Sequence, residues 1–207
     1  MNRMFRKVRW MDGTRTLYVF GIPLFTYSVR KTCRVEACSP EEYARRLGVN
    51  VGEGCTFIVH PKRDDYPDFG SEPYFVSIGA DTVISFGVTF LTHDGSVHTS
   101  RIVSGDTGLR GKLGKISVGR GCFIGCKATI FPGVEIGDCS VVGACSVVTK
   151  SIPSGQVWAG NPARFVCTTA ELAEKQKAMD RDDNQKKLFE ICNEKKEKNR
   201  ERENATC

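Results

Sequence analysis

VGRGCF IGCKAT IFPGVE IGDCSV VGACSV VTKSIP, residues 118–153, decides the fold. Val118, Ile124, Ile130, Ile136, Val142 and Val148 open six consecutive units in one register, and Gly follows the aliphatic residue in four of them. The fifth residue of each unit is small or aliphatic: Cys122, Ala128, Val134, Ser140, Ser146 and Ile152. A period of six fits neither an α-helix nor a strand that runs on. It is the mark of a parallel β-helix, in which each unit is a short strand and a turn. With three units to a coil, Val118 stacks below Ile136, Ile124 below Val142 and Ile130 below Val148. The interior is then one aliphatic column, and the Gly after each aliphatic is read as admitting a corner backbone that other residues resist. A single coil cannot bury its own face, so its stability comes from its neighbours and from caps at the ends.

Working outward, the repeat starts near Val51, breaks for a polar loop at 60–71, and resumes through Ile78, Ile84 and Phe90. Phe90 and Val118 are 28 residues apart, which is not a multiple of six. A second loop therefore leaves the coil after His93 and occupies 95–115, a polar, Gly-rich and basic stretch. Long excursions from a compact scaffold tend to carry function. Three segments result: a basic N-terminal cap (1–46), the hexapeptide-repeat domain (47–166) and a charged helical tail (167–207).

In the first segment, Leu17–Val29 is a β-rich apolar run interrupted at Gly21-Ile22-Pro23, which predicts two short strands around a turn. Ser39-Pro40-Glu41-Glu42 reads as a helix start, with the helix ending near Gly48. In the tail, Thr169 to Cys192 is expected to be helical in two pieces broken at Asp182-Asp183, with the charged end from Asn193 frayed.

The net charge of +6 belongs to residues 1–46, which hold ten Lys/Arg against four Asp/Glu; the other two segments are balanced. Two readings of that basic segment stand: contact with an anionic surface such as a membrane face or acidic polymer, or a solvated cap. The balanced core excludes a nucleic-acid-binding stripe. No apolar run is long enough to span a bilayer, and the basic start lacks the apolar core of a signal peptide. The expected location is the cytoplasm. Ten Cys include no C-x-x-C pair, and Cys55 and Cys122 take small inward positions, so free thiols rather than disulfides or zinc ligands are expected.

Of three His, His60, His93 and His98, His93 stands where a unit turns into the long loop. An imidazole on a rigid scaffold at a loop mouth is placed to act as a general base.

Repeat, loop and the ending IGDCSVVGACSVVTKSIPSGQVWAGNPAR together resemble the hexapeptide-repeat O-acetyltransferases, among them the maltose, galactoside, serine, xenobiotic and polysaccharide-modifying enzymes. The resemblance covers about residues 47–166. It implies an all-β fold in the coil, specifically a left-handed parallel β-helix, and a homotrimer with acetyl-CoA in a groove between subunits. It further implies direct transfer of the acetyl group to a hydroxyl of a sugar or polysaccharide precursor, with a loop His as base and no metal. On this resemblance His93 is the catalytic base, with His98 its competitor, and Asp106 orients it, with Asp94 as second choice. Cys126 and Ala144 correspond to positions on the pantetheine arm, and Thr149, Lys150 and Arg164 to positions near the phosphates, where cations suit the chemistry. The family has Ser or Ala where Cys126 stands; Cys126 is not read as a nucleophile, because nothing nearby in sequence would depress its pKa. Trp158 is read as packing on the cofactor or within the fold, and Glu72 and Arg101 as lining the acceptor side.

One other class shares such a coil. Gamma-type carbonic anhydrases hold zinc through three His, two of them five apart, as His93 and His98 are, with His60 as a third. Here the loop has already begun at His98, and zinc chemistry has no use for the Lys150 and Arg164 cations. A xenobiotic or amino-acid acceptor on the acetyltransferase fold is the remaining alternative.

Overall fold

The structure, a computed structural model, describes residues 5–9, 14–19, 22–28, 39–59, 65–180 and 182–204. It comprises two compact units, Met1–Ser39 and Pro40–Cys207. In the first, β1 (Phe5–Arg9), β2 (Thr14–Val19) and β3 (Ile22–Ser28) form an antiparallel meander, with Leu17 opposite Phe25. The two strands expected within Leu17–Val29 are the later part of β2 and β3.

The second unit opens with α1 (Pro40–Leu47). Glu41 and Glu42 in its first turn pair with Arg45 and Arg46 in its last, and Ala44 turns into the core. The coil follows. One sheet stacks β4 (Asn50–Val51), β6 (Val76–Ile78), β9 (Ile116–Val118) and β12 (Glu135–Ile136). A second stacks β5 (Thr56–Phe57), β7 (Val83–Ile84), β10 (Phe123–Ile124), β13 (Val141–Val142) and β15 (Gln156–Gly160). A third stacks β8 (Thr89–Phe90), β11 (Thr129–Ile130) and β14 (Val147–Val148). All these pairings are parallel, and the registers Val118↔Ile136, Ile124↔Val142 and Ile130↔Val148 are those read from the period. Ile78, Ile84, Phe90, Ile124, Ile130, Val142 and Val148 fill the buried column. Each apolar side chain fully removed from water contributes roughly 1.5–3 kcal/mol. The fifth residues of the units are all buried too, and Ser140 donates to the Pro153 carbonyl at 2.9 Å.

β16 (Ala163–Thr168) folds back antiparallel on β15, closing the last coil. The tail is α3 (Thr169–Asp180) and α4 (Asp183–Asn204), broken where expected. The helix continues to Asn204, past Asn193, where fraying was expected; in the sequence KEKNRERE opposite charges recur three residues apart. With α1, α3, α4 and a further helix in the long loop, the description all-β holds for the coil alone.

The corner glycines have a different cause from the one expected. Gly125 does not adopt a left-handed backbone; the left-handed residue comes two later, at Lys127, and likewise at Gly121, Cys139 and Cys145 in the other corners. Gly125 is required because the next coil's backbone, at Ala144, leaves no room for a Cβ.

Candidate active site

The coil is interrupted after β8, and the residues that leave it are tightly held. Leu91 donates to the Ile130 carbonyl at 2.8 Å, so 91–93 still follow the coil's corner. His93 then pairs in an antiparallel bridge with Leu113, Asp94 N–H donates to Lys112 at 2.9 Å, and Gly114 N–H to Thr92 at 2.9 Å. The excursion therefore has a narrow neck, with its two ends side by side. Inside it lies α2 (Val97–Ser104), a helix not foreseen in this Gly-rich stretch. Asp94 starts it by accepting from Ser96 N and Oγ at 2.8 and 2.9 Å, and Gly105 ends it in the left-handed conformation.

The imidazole of His93 is half exposed and its Nδ1 lies 2.9 Å from Glu72 Oε2. The same oxygen accepts from Thr92 Oγ1 at 2.5 Å. These two donors, Thr92 first, hold the Glu72 carboxyl below the usual glutamate range. An ionised carboxylate can only accept, so His93 Nδ1 carries a proton, and in the neutral imidazole Nε2 then presents a lone pair. Nε2 has no hydrogen-bond partner among the described residues. Glu72 reaches this place because 68–72 lie against the third sheet: Asp68 N–H donates to Val88, and Phe90 N–H to Asp68, both at 2.8 Å. Phe69 stacks on Phe90, with ring centroids 5.3 Å apart.

The carboxylate beside His93 is Glu72 rather than the expected Asp106 or Asp94. Asp106 accepts from Gly108 N–H at 2.8 Å, a turn within the excursion, and Asp94 serves α2; it is Glu72, expected on the acceptor side, that holds His93. Arg101 also differs from expectation: its Nε and Nη2 donate to the Leu109 carbonyl at 2.9 and 2.6 Å, tying α2 to the returning part of its own loop. His98 lies exposed on the first turn of α2. His60, the third ligand of the zinc alternative, lies outside the described residues, as do 61–64 of the first loop. Among the described residues no cluster of three His, Cys, Asp or Glu is arranged to hold a metal.

The other expected residues fall into two groups by corner. Phe90, Ile130 and Val148 stack, so Thr92-His93, Pro132-Gly133 and Lys150-Ser151 occupy one corner in successive coils, and Thr149-Lys150 are exposed there. Gly114 confirms the stacking: a Cβ on it would be 2.5 Å from Gly133 N. Ile124, Val142 and Trp158 stack at a second corner, which places Cys126 and Ala144 there, with Cys145 N–H donating to Cys126 O at 2.8 Å. Arg164 joins this second corner through its pairing with Ala159; it is exposed, with Nη1 on the Ala163 carbonyl at 2.9 Å. Ala144 is exposed, and its N–H makes no hydrogen bond among the described residues. Trp158 packs on the core and donates to Gln156 Oε1 at 2.8 Å. Within one chain, then, Glu72, Thr92, His93, Thr149 and Lys150 share a corner that Cys126, Ala144 and Arg164 do not.

Residues 115–150 match the family described as the hexapeptide repeat of succinyl-transferase. Protein CapG of Staphylococcus aureus is 40% identical over 126 residues, spanning 61% of this chain and 69% of that protein. "Putative acetyltransferase YvoF" of Bacillus subtilis is 37% identical over 135 residues, 65% of this chain and 69% of that protein. Galactoside O-acetyltransferase of Escherichia coli is 36% identical over 111 residues, 52% of this chain and 53% of that protein. With these relatives and a parallel coil of hexapeptide units, the chain belongs to the hexapeptide-repeat O-acetyltransferase family and is an acyltransferase.

Proposed function

We propose that the protein transfers the acetyl group of acetyl-CoA to a hydroxyl of a sugar or polysaccharide precursor, with His93 as general base. The observation that carries this reading is the Glu72–His93 pair, which fixes the Nδ1–H tautomer and leaves Nε2 free at the mouth of the excursion. Nε2 takes the proton of the acceptor hydroxyl as its oxygen bonds to the thioester carbonyl carbon. The Ala144 N–H is free to donate to the carbonyl oxygen as charge builds there. When the carbon–sulfur bond breaks, the imidazolium returns its proton to the departing thiolate. No acyl-enzyme is needed.

The donor set suits acetyl-CoA as co-substrate. Lys150 and Arg164 are exposed cations for its phosphates, and the small Ala144 beside Cys126 leaves room for a slender arm. Because these residues are split between two corners of one coil, a second copy must bring its Cys126–Ala144 corner against the His93 corner of the first. A closed homotrimer of left-handed coils does this three times by one repeated contact.

The test is titration with acetyl-CoA and dephospho-CoA, followed by thiol release from acetyl-CoA over a panel of sugars. Acetyl-CoA should bind more tightly than the analogue lacking the 3′-phosphate. His93→Ala should lower sugar-dependent release roughly 10²–10⁴-fold without loss of binding. A folded protein that binds no acetyl-CoA, or a His93→Ala variant with undiminished release, overturns the reading.

A further inference from the structure

We propose that Thr92 is a positioning residue for the reaction, fixing the Glu72 carboxylate that in turn fixes the tautomer of His93; this rests on His93 being the base. Thr92 is 1% exposed, and its hydroxyl donates to Glu72 Oε2 at 2.5 Å, the oxygen that also receives His93 Nδ1. Its place in the coil explains why a hydroxyl there has no other use. In the next coil the equivalent position is the buried Pro132, which has no donor at all. The hydroxyl cannot reach water, and a buried donor left unpaired is costly, so its one partner is strongly specified.

Glu72 needs such an anchor. It stands at the end of a segment attached to the coil by Asp68, and its main chain turns away at once, with Phe75 N–H donating to the Glu72 carbonyl at 3.0 Å. Its side chain is 22% exposed, so without Thr92 it is free to rotate toward solvent. Gly70, in the left-handed conformation (φ 64°), turns the chain beside them: a Cβ on it would lie 3.4 Å from Thr92 Oγ1 and 3.2 Å from the Phe90 carbonyl. A buried threonine, a glycine opposite and a carboxylate two residues on thus form a single support under the imidazole. Thr92 touches neither reacting atom; it acts through Glu72.

The test compares the full-length protein with Thr92→Val, which keeps the shape and removes the hydroxyl, and Thr92→Ser, which keeps the hydroxyl. Imidazole nitrogen NMR, assigned through His93→Ala, reads the tautomer; thiol release from acetyl-CoA with water as acceptor reads turnover. Wild type and Thr92→Ser should show His93 as the Nδ1–H tautomer. Thr92→Val should show a mixture, with kcat down about tenfold, the size of one hydrogen bond to a charged group, and KM for acetyl-CoA within about twofold of wild type, since the buried hydroxyl touches neither Lys150 nor the Cys126–Ala144 corner. A wild-type His93 in the Nε2–H form overturns the inference even if Thr92→Val does not fold. So does a folded Thr92→Val with unchanged tautomer and kcat while release still requires His93. Wild-type release that survives His93→Ala is a different result: it overturns the function on which the inference rests.

Discussion

A Cβ placed on Gly125 would fall 2.5 Å from the backbone nitrogen of Ala144. The obstacle is main chain, which cannot swing aside as a side chain does. Gly125→Ala should therefore force two coils apart at the corner bearing Cys126 and Ala144. The expected cost is about 1–3 kcal/mol, measured as a lowered urea midpoint with unchanged slope. A variant as stable as wild type would show that this corner has slack.

Glu72→Gln and Asp106→Asn remove similar charges with different expected results. Glutamine keeps a hydrogen-bond acceptor but loses the charge that fixes the His93 tautomer, so thiol release should fall roughly 10- to 100-fold. Asp106 is engaged with Gly108 N–H within the loop, so Asp106→Asn should stay within about twofold of wild type, a surface-scale change. The reverse ranking would restore Asp106 as the orienting carboxylate.

The lowered Glu72 pKa also predicts a pH dependence of stability. Thr92 and His93 favour its ionised form in the folded protein, so its folded pKa lies below the usual 4.5. The stabilisation is present above the unfolded value and is lost as pH falls through the folded one. Unfolding midpoints of wild type and Glu72→Gln should be apart above pH 4.5 and converge on acidification below it. A gap that stays constant down to pH 3, at about one and a half units lower, would show that Glu72 titrates normally.

Cysteine reactivity should follow the coil. Burial pushes the Cys55 and Cys122 thiols up, and each donates to a carbonyl of the next coil, Gly79 and Gly137, at 3.2 Å. Cys139, Cys145 and Cys192 are exposed. Brief alkylation of the native protein, read by peptide mass spectrometry, should label Cys139 and Cys192 and spare Cys55 and Cys122. Early modification of Cys122 would mean that the coil opens locally.

Lys150→Ala should weaken acetyl-CoA about two- to fivefold, as loss of an exposed ion pair would, and leave acetyl-pantetheine, which has no phosphates, unchanged. Equal weakening of both donors would place Lys150 on the pantetheine arm.

The coil was legible because its period is arithmetic. Stacking partners eighteen apart follow from counting, and Val118↔Ile136 needed no tertiary information. The same counting fails at Glu72 and His93. They are 21 apart, as Asp68 and Thr89 are, because the turn Pro73–Phe75 lengthens the coil after Glu72, so counting in eighteens does not announce that they meet. Asp106 looked nearer because it shares a loop with His93, yet its side chain is consumed by its own turn. α2 was not legible because it is short and rich in β-branched residues (Val97, Thr99, Ile102 and Val103) of modest helix propensity, inside a Gly-rich loop. The role of Gly125 was misjudged because sequence shows that a glycine is needed and not whether conformation or space requires it.

The neck of the excursion has a further consequence. Thr92–Asp94 and Lys112–Gly114 lie side by side, and the coil's stacking passes from Gly114 to Gly133 as though 95–111 were absent. Length and composition of the hanging segment are thereby insulated from the frame that holds His93. Evolution, or an engineer, can exchange the stretch between Asp94 and Lys112 as a cassette, changing which acceptor meets the imidazole without refolding the scaffold beneath it.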